Sequence, residues 1–238
     1  MNPRLTTRNG GATRRTSGLT LTDLLVVVAV LSLLAALGVP LLMRARAKAG
    51  LEVCLGNLKQ VNHAVLQFAD EHQHRLPEVA ASPSPGGWWW YKEQVKGYVG
   101  LTAKSSADDK VFACPQDRGY GEGTERPQPF CRSQKYDFTS YVFNGVNLSG
   151  VPNIAAREIS SIRDPSRTLL VMEWTAHGPL SWHRSRTGQA NTPFYNDAES
   201  VAGFVDGHVA LTKIYHDGLN AAYTRDPAPG YTYKYSGD

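Results

Sequence analysis

Apolar and polar positions alternate along this chain in three successive regimes. From Leu24 to Met43 there are twenty residues without a charge, and as a helix rising about 1.5 Å per residue they span about 30 Å, one hydrocarbon core. A membrane-spanning helix is the predicted element. After Met43 the run becomes amphipathic: Leu51, Leu55, Leu58, Val61, Val65 and Phe68 recur at spacings of three and four, with Lys59, Asn62, His63 and Gln67 between them. The two patterns join into one helix predicted from about Thr22 to about His72, its first half in lipid and its second half buried through Leu51, Leu55, Leu58, Val61 and Val65. Pro40, with Gly38, is a place where a lost backbone donor would kink it. Leu76-Pro77 and the stretch from Ala80 to Gly87, which holds Pro83, Pro85 and Gly86, end the helix in a loop.

Past that loop the pattern shortens. Trp88, Tyr91, Val95 and Tyr98 fall on one face of a short helix. Three adjacent tryptophans cannot all point inward, so one or two are expected in the core, with an exposed sugar or partner site as the sharper reading of the cluster. Strands are predicted at Lys110 to Ala113, Ser140 to Phe143, Arg167 to Glu173, Val201 to Val205 and His208 to Ile214, the last two joined at Asp206-Gly207, the strongest hairpin signal in the chain. From Leu219 onward, Pro227, Pro229 and a Tyr-rich tail read as an irregular surface segment with an edge strand at most. A long helix followed by short strands in hairpins gives an α+β fold, an antiparallel sheet packed on the helix.

Charge refines the division into parts. Residues 1–18 are rich in Thr, Arg and Gly, show no periodicity and read as a leader. They hold Arg4, Arg8, Arg14 and Arg15 and no acid, so of the 25 basic residues 21 remain beyond them against 21 acidic ones. Zero net charge over residues 19–238 argues against a nucleic-acid partner. The expected organisation is a leader over 1–18, a transmembrane segment over 19–43, an amphipathic continuation over 44–75 and a globular domain over 76–238. Arg44, Arg46 and Lys48 follow the apolar run, so charge counting leaves its orientation nearly tied.

Ser17-Gly18-Leu19-Thr20-Leu21-Thr22-Asp23, placed at the edge of the apolar run, resembles the prepilin signal of type IV pilins and of the pseudopilins of type II secretion. The resemblance implies a pilin-like fold and cleavage by a prepilin peptidase between Gly18 and Leu19. It also implies methylation of the new N-terminus and an acid, Asp23, that pairs in an assembly with the N-terminus of a neighbouring subunit. The family usually carries Phe where Leu19 stands and Glu where Asp23 stands. Capping of the helix by Thr22 and Asp23 is the plainer role for the acid. Ala36-Leu37-Gly38 as a signal-peptidase site and Arg14-Arg15 as a twin-arginine signal are the competing export readings.

Further landmarks extend the likeness along the chain. Cys54-Leu55-Gly56-Asn57-Leu58-Lys59-Gln60, Phe112-Ala113-Cys114-Pro115, Thr139-Ser140-Tyr141, Asp164-Pro165-Ser166 and Phe204-Val205-Asp206-Gly207-His208-Val209 look like those of a bacterial pseudopilin-like family with a domain of unknown function. Its C-terminal motif is a His, nine residues, then Asp-Gly, and here Asn196 stands in the histidine's place before Asp206 and Gly207. Membership implies the leader inside, an inner-membrane helix and a globular domain in the periplasm or outside the cell. The implied partners are the peptidase, other pilin-like subunits and membrane lipid.

The candidate chemistry is sparse. Cys114 and Cys131 lie in loop-like surroundings, and joining them in an oxidising compartment would close about seventeen residues for about 3 kcal/mol. Cys54, on the helix, is then a small buried residue, the alternative being a Cys54–Cys114 pair, since both fall in landmarks. The seven histidines show no metal spacing and are expected at the surface, Glu173 to His177 is no zinc-protease motif, and no G-x-S-x-G, P-loop or dinucleotide fingerprint is present. Neither a catalytic residue nor a metal or other cofactor is assigned. Asn196, Asp197, Glu199, Asp206 and Asp217 are oxygen donors matching no defined calcium loop, and Asn147-Leu148-Ser149 fits a glycosylation sequon but reads as a turn. Two functions remain: a structural or assembly subunit, or a membrane-tethered binding module or enzyme using Trp88 to Tyr91 as its ligand surface.

Overall fold

A computed structural model describes residues 20–78, 87–119, 128–145, 150–177, 181–183, 198–215 and 225–238. Gly18, Leu19, the sequon at Asn147, Asn196, Asp197 and Asp217 lie outside the described residues.

Helix α1 runs from Leu21 to Glu71, through Pro40. Its start is set by Thr20. The Thr20 hydroxyl accepts the Asp23 N–H at 3.2 Å, while the Asp23 carboxylate accepts the Thr20 N–H at 2.9 Å and the Thr20 hydroxyl at 2.7 Å. This reciprocal pair satisfies donors that a helix start otherwise leaves open. The chain divides into two compact units at Ala45 and Arg46, and α1 contributes to both. In the first unit Leu24, Leu25, Leu31, Leu33, Leu34 and Leu41 are all more than half exposed. So continuous an apolar surface is stable in lipid rather than water, and the helix is long and apolar enough to cross a membrane.

In the second unit α1 turns one face to a core. Cys54, Leu58, Val61, Asn62, Ala64, Val65 and Ala69 are buried, with Leu51, Leu55, Leu66 and Phe68 partly buried around them. The sheet has four strands, β1 (Tyr141–Phe143), β2 (Leu169–Glu173), β3 (Ala198–Phe204) and β4 (Val209–Ile214), in the order 1-2-3-4 and antiparallel throughout. Every residue of the inner strand β2 is buried, as the apolar run from Leu169 to Met172 requires; Glu173 at its end is the exception in kind. Helix and sheet approach closely at Gly203, where a Cβ would stand 2.4 Å from the Asn62 side-chain oxygen. The Asn62 amide donates to the Phe204 carbonyl at 3.0 Å.

The β3–β4 hairpin turns at Asp206-Gly207 as its sequence predicts. The Gly207 N–H reaches the Phe204 carbonyl at 3.0 Å and Gly207 takes φ +92°, the left-handed position that a three-residue hairpin loop reserves for glycine.

Two expectations need correction. Lys110 to Phe112 is a turn of 3-10 helix and not a strand, because the Asn57 side chain on α1 takes the Lys110 carbonyl at 3.0 Å and the Ala113 carbonyl at 2.8 Å, curling the segment around itself. The described part of the tail, 225–238, is not wholly at the surface. Lys234 bridges Thr168 in parallel, exchanging backbone hydrogen bonds with Leu169 and Arg167 at 3.0 and 2.9 Å. That inserts Tyr233 and Tyr235 fully into the core.

Candidate functional site

The structure joins Cys54 to Cys114, at a Cα separation of 4.8 Å, and leaves Cys131 as a free thiol. The expected Cys114–Cys131 pair is thereby replaced. The reason lies in α1: Asn57, one turn beyond Cys54, grips the Ala113 carbonyl and delivers Cys114 to the helix. The Cys114 N–H donates to the Ser140 hydroxyl at 2.9 Å, and that hydroxyl donates to the Asp117 carboxylate at 2.8 Å. Asp117 also accepts the N–H groups of Gly119 and Cys131 at 2.8 and 2.9 Å. Burial pushes its pKa up from the ordinary carboxylate value, against those hydrogen bonds. Cys131 therefore sits beside the disulfide without entering it, its thiol pushed up to about 11 by burial and by the Asp117 charge. A groove of about 530 Å³ runs past Val53, Asn57, Cys114, Asp117, Cys131 and Arg132.

Behind the disulfide lies a polar cluster that no spacing announces. Glu173 closes β2 and is completely buried, His183 follows ten residues later, and their side chains are 0% and 1% exposed. One Glu173 oxygen accepts the Val201 N–H at 2.9 Å and the other meets His183 Nε2 at 2.8 Å. His183 Nδ1 meets the Gln116 side-chain oxygen at 2.6 Å, and the Gln116 amide nitrogen donates to the Ala47 carbonyl at 2.6 Å. The short segment carrying His183 is pinned by the Arg118 guanidinium, which donates to the Ser181 and Trp182 carbonyls at 3.2 Å each. The Cys54 and Cys114 sulfurs, a Glu173 oxygen and a His183 nitrogen all lie within 4.8 Å of one another. Their mix of two sulfurs, an imidazole and a carboxylate matches zinc coordination chemistry.

The expectation of surface histidines fails twice, at His183 and at His177. Half-buried against Trp88, ring centroids 3.7 Å apart and both ring nitrogens shielded, His177 has its pKa lowered to about 3 by desolvation. The unfolded chain holds the ordinary value near 6.5, so it takes up the proton first. Stability from the neutral ring is complete above pH 6.5 and is lost as pH falls toward 3. Relative to a His177→Phe variant, wild-type stability is expected to drop by about 2 kcal/mol between pH 7 and pH 5 in urea unfolding. An unchanged difference between the two chains at those pH values would contradict this. Asp137, pushed up to about 6 chiefly by burial, acts in the opposite sense but is common to both chains.

Of the three adjacent tryptophans, Trp88 and Trp89 are partly buried and pack against the core. Trp89 packs on Trp174 and Tyr136 at centroid separations of 5.6 and 5.2 Å, and Phe130 stacks on Trp174 at 4.6 Å. Tyr91 is fully buried. Next to it Lys92, also fully buried, pairs with Asp109 at 2.8 Å and donates to the carbonyls of Asp137 and Phe138 at 2.7 and 3.4 Å. Those two residues take φ +52° and +51°, a left-handed pair whose cost of about 1–3 kcal/mol each is offset by aiming both carbonyls at one ammonium.

Of the other sequence-derived site residues, Asp23 caps α1 and Asp206 and Gly207 form the hairpin turn, where Asp206 accepts the His208 N–H at 3.1 Å. No known family model, curated protein or solved structure matches this chain.

Proposed function

We propose that the protein is a structural or assembly subunit, a minor pilin or pseudopilin of a type IV pilus or type II secretion-like system, processed by a prepilin peptidase and held in the inner membrane. What carries the reading is α1 itself: 51 residues in one helix, apolar and exposed at its start, one-faced and buried at its end. A subunit of that shape presents its first half to lipid before assembly and to neighbouring helices after it. The tethered-module alternative needs an accessible aromatic surface, and the inward packing of Trp88, Trp89 and Tyr91 weighs against it.

Asp23 supplies the switch. A carboxylate within a membrane segment costs roughly 2.5–3.5 kcal/mol at its centre and less near the interface, and the capping by Thr20 offsets part of that. Cleavage after Gly18 would place a new ammonium, on Leu19, at the same depth, where a neighbour's Asp23 can pair with it. Gly18→Arg is expected to abolish the shortened chain on immunoblots, whereas Asp23→Ala leaves shortening largely intact and lowers recovery of cross-linked assemblies. Normal processing of Gly18→Arg, or full assembly of Asp23→Ala, counts against the proposal.

A further inference from the structure

We propose that the dithiol form of this protein holds one zinc ion between Cys54, Cys114, His183 and Glu173, and that the zinc-bound and disulfide forms are alternative states of one site. Four elements converge there: the buried face of α1, the segment after the turn at Lys110, the end of β2 and the segment pinned by Arg118. Their four donor atoms lie within 4.8 Å of one another. Donors around a tetrahedral zinc stand roughly 3.3–3.8 Å apart, given bonds of about 2.3 Å to sulfur and about 2.0–2.2 Å to nitrogen and oxygen.

The surrounding hydrogen bonds prepare the imidazole for a cation. Because the Gln116 nitrogen must donate to the Ala47 carbonyl, its oxygen faces His183, and His183 Nδ1 must carry the proton between them. Nε2 is left to face Glu173, whose second oxygen is already held by Val201. A single proton lies between Nε2 and the carboxylate, at the place a metal ion would take. This is the outer arrangement that fixes tautomer and orientation at zinc sites, an acceptor on the far nitrogen of the ring.

A newly made chain carries both cysteines as thiols. Zinc binding then breaks two S–H bonds and releases the proton shared by His183 and Glu173, forming two Zn–S bonds, one Zn–N and one Zn–O, with three protons released and no electrons moved. Disulfide formation from the zinc form instead passes two electrons to the disulfide of a thiol–disulfide exchange partner and takes up three protons, two completing that partner's dithiol and one returning between His183 and Glu173, as the ion leaves. Either state ties α1 to the loop carrying Cys114.

The test uses the full chain in detergent, reduced with a non-chelating phosphine and titrated with zinc against a chromophoric chelator. Cobalt in place of zinc reports the ligands. The expected result is one zinc per reduced chain and none per oxidised chain. Cobalt should give a thiolate-to-metal charge-transfer band with the visible bands of a tetrahedral site. Gln116→Ala, which keeps all four ligands, is expected to weaken zinc about 10–100-fold, and Cys131→Ser to leave it unchanged. Absence of zinc uptake by the reduced chain overturns the proposal. So does an affinity indifferent to Gln116→Ala, which is the behaviour of an unfolded chain chelating through its thiols alone.

Discussion

Replacing Cys54 by Ser, in the presence of a metal chelator, is expected to lower the stability of the domain by about 4 kcal/mol. The estimate comes from the 60-residue separation that the disulfide closes, whose loss returns loop entropy to the unfolded chain. Cys54 is also fully buried beneath Tyr141, whose hydroxyl donates to its carbonyl at 3.2 Å. Cys114→Ser should behave alike and the double variant no worse than either, because the two residues act as one bond. Cys131→Ser, by contrast, should cost less than about 1 kcal/mol. Urea unfolding of the four chains checks the set, and a larger loss at Cys131 than at Cys54 would show that the pairing is wrong.

Glu173→Ala is the other change of comparable size, with an expected loss of about 3–5 kcal/mol. It removes the acceptor of the Val201 N–H and the partner of His183 Nε2 together, leaving two buried polar groups where no water reaches. Glu173→Gln keeps the shape and can still donate to the imidazole, so it should recover part of the loss. His183→Ala should be costly for the same reason, and combining it with Glu173→Ala should cost clearly less than the sum of the two. Additive losses would mean that the residues do not act as a pair.

Much of the fold was legible because it is local. The change from a continuous apolar run to a 3.6-residue period places α1 within a residue of its observed ends, and Asp206-Gly207 places the hairpin. The full extent of β3 follows from β4: a strand through Ile214 needs a partner back to Ala198, which symmetry about the turn supplies and apolar content alone does not. The Tyr231, Tyr233, Tyr235 alternation likewise carried a strand-like signal that the nearby prolines obscured.

The cluster behind the disulfide was not legible, for a physical reason. Gln116, Glu173 and His183 meet through tertiary packing, each from a different segment, so no fixed spacing links them. One clue was present: Glu173 ends an otherwise apolar inner strand, and a carboxylate there must find a partner or a proton. The disulfide was not legible because Cys114 and Cys131 both read as loop residues, whereas the pairing is decided by Asn57, whose side chain reaches across to the Ala113 carbonyl from one turn beyond Cys54.

Intact mass and N-terminal sequencing of the protein isolated from its native membrane decide whether the apolar half of α1 belongs to a processed pilin-like subunit, as proposed. The expected chain begins at Leu19, with or without one methyl group. A chain that keeps Met1, or begins near Val39, rules the proposal out.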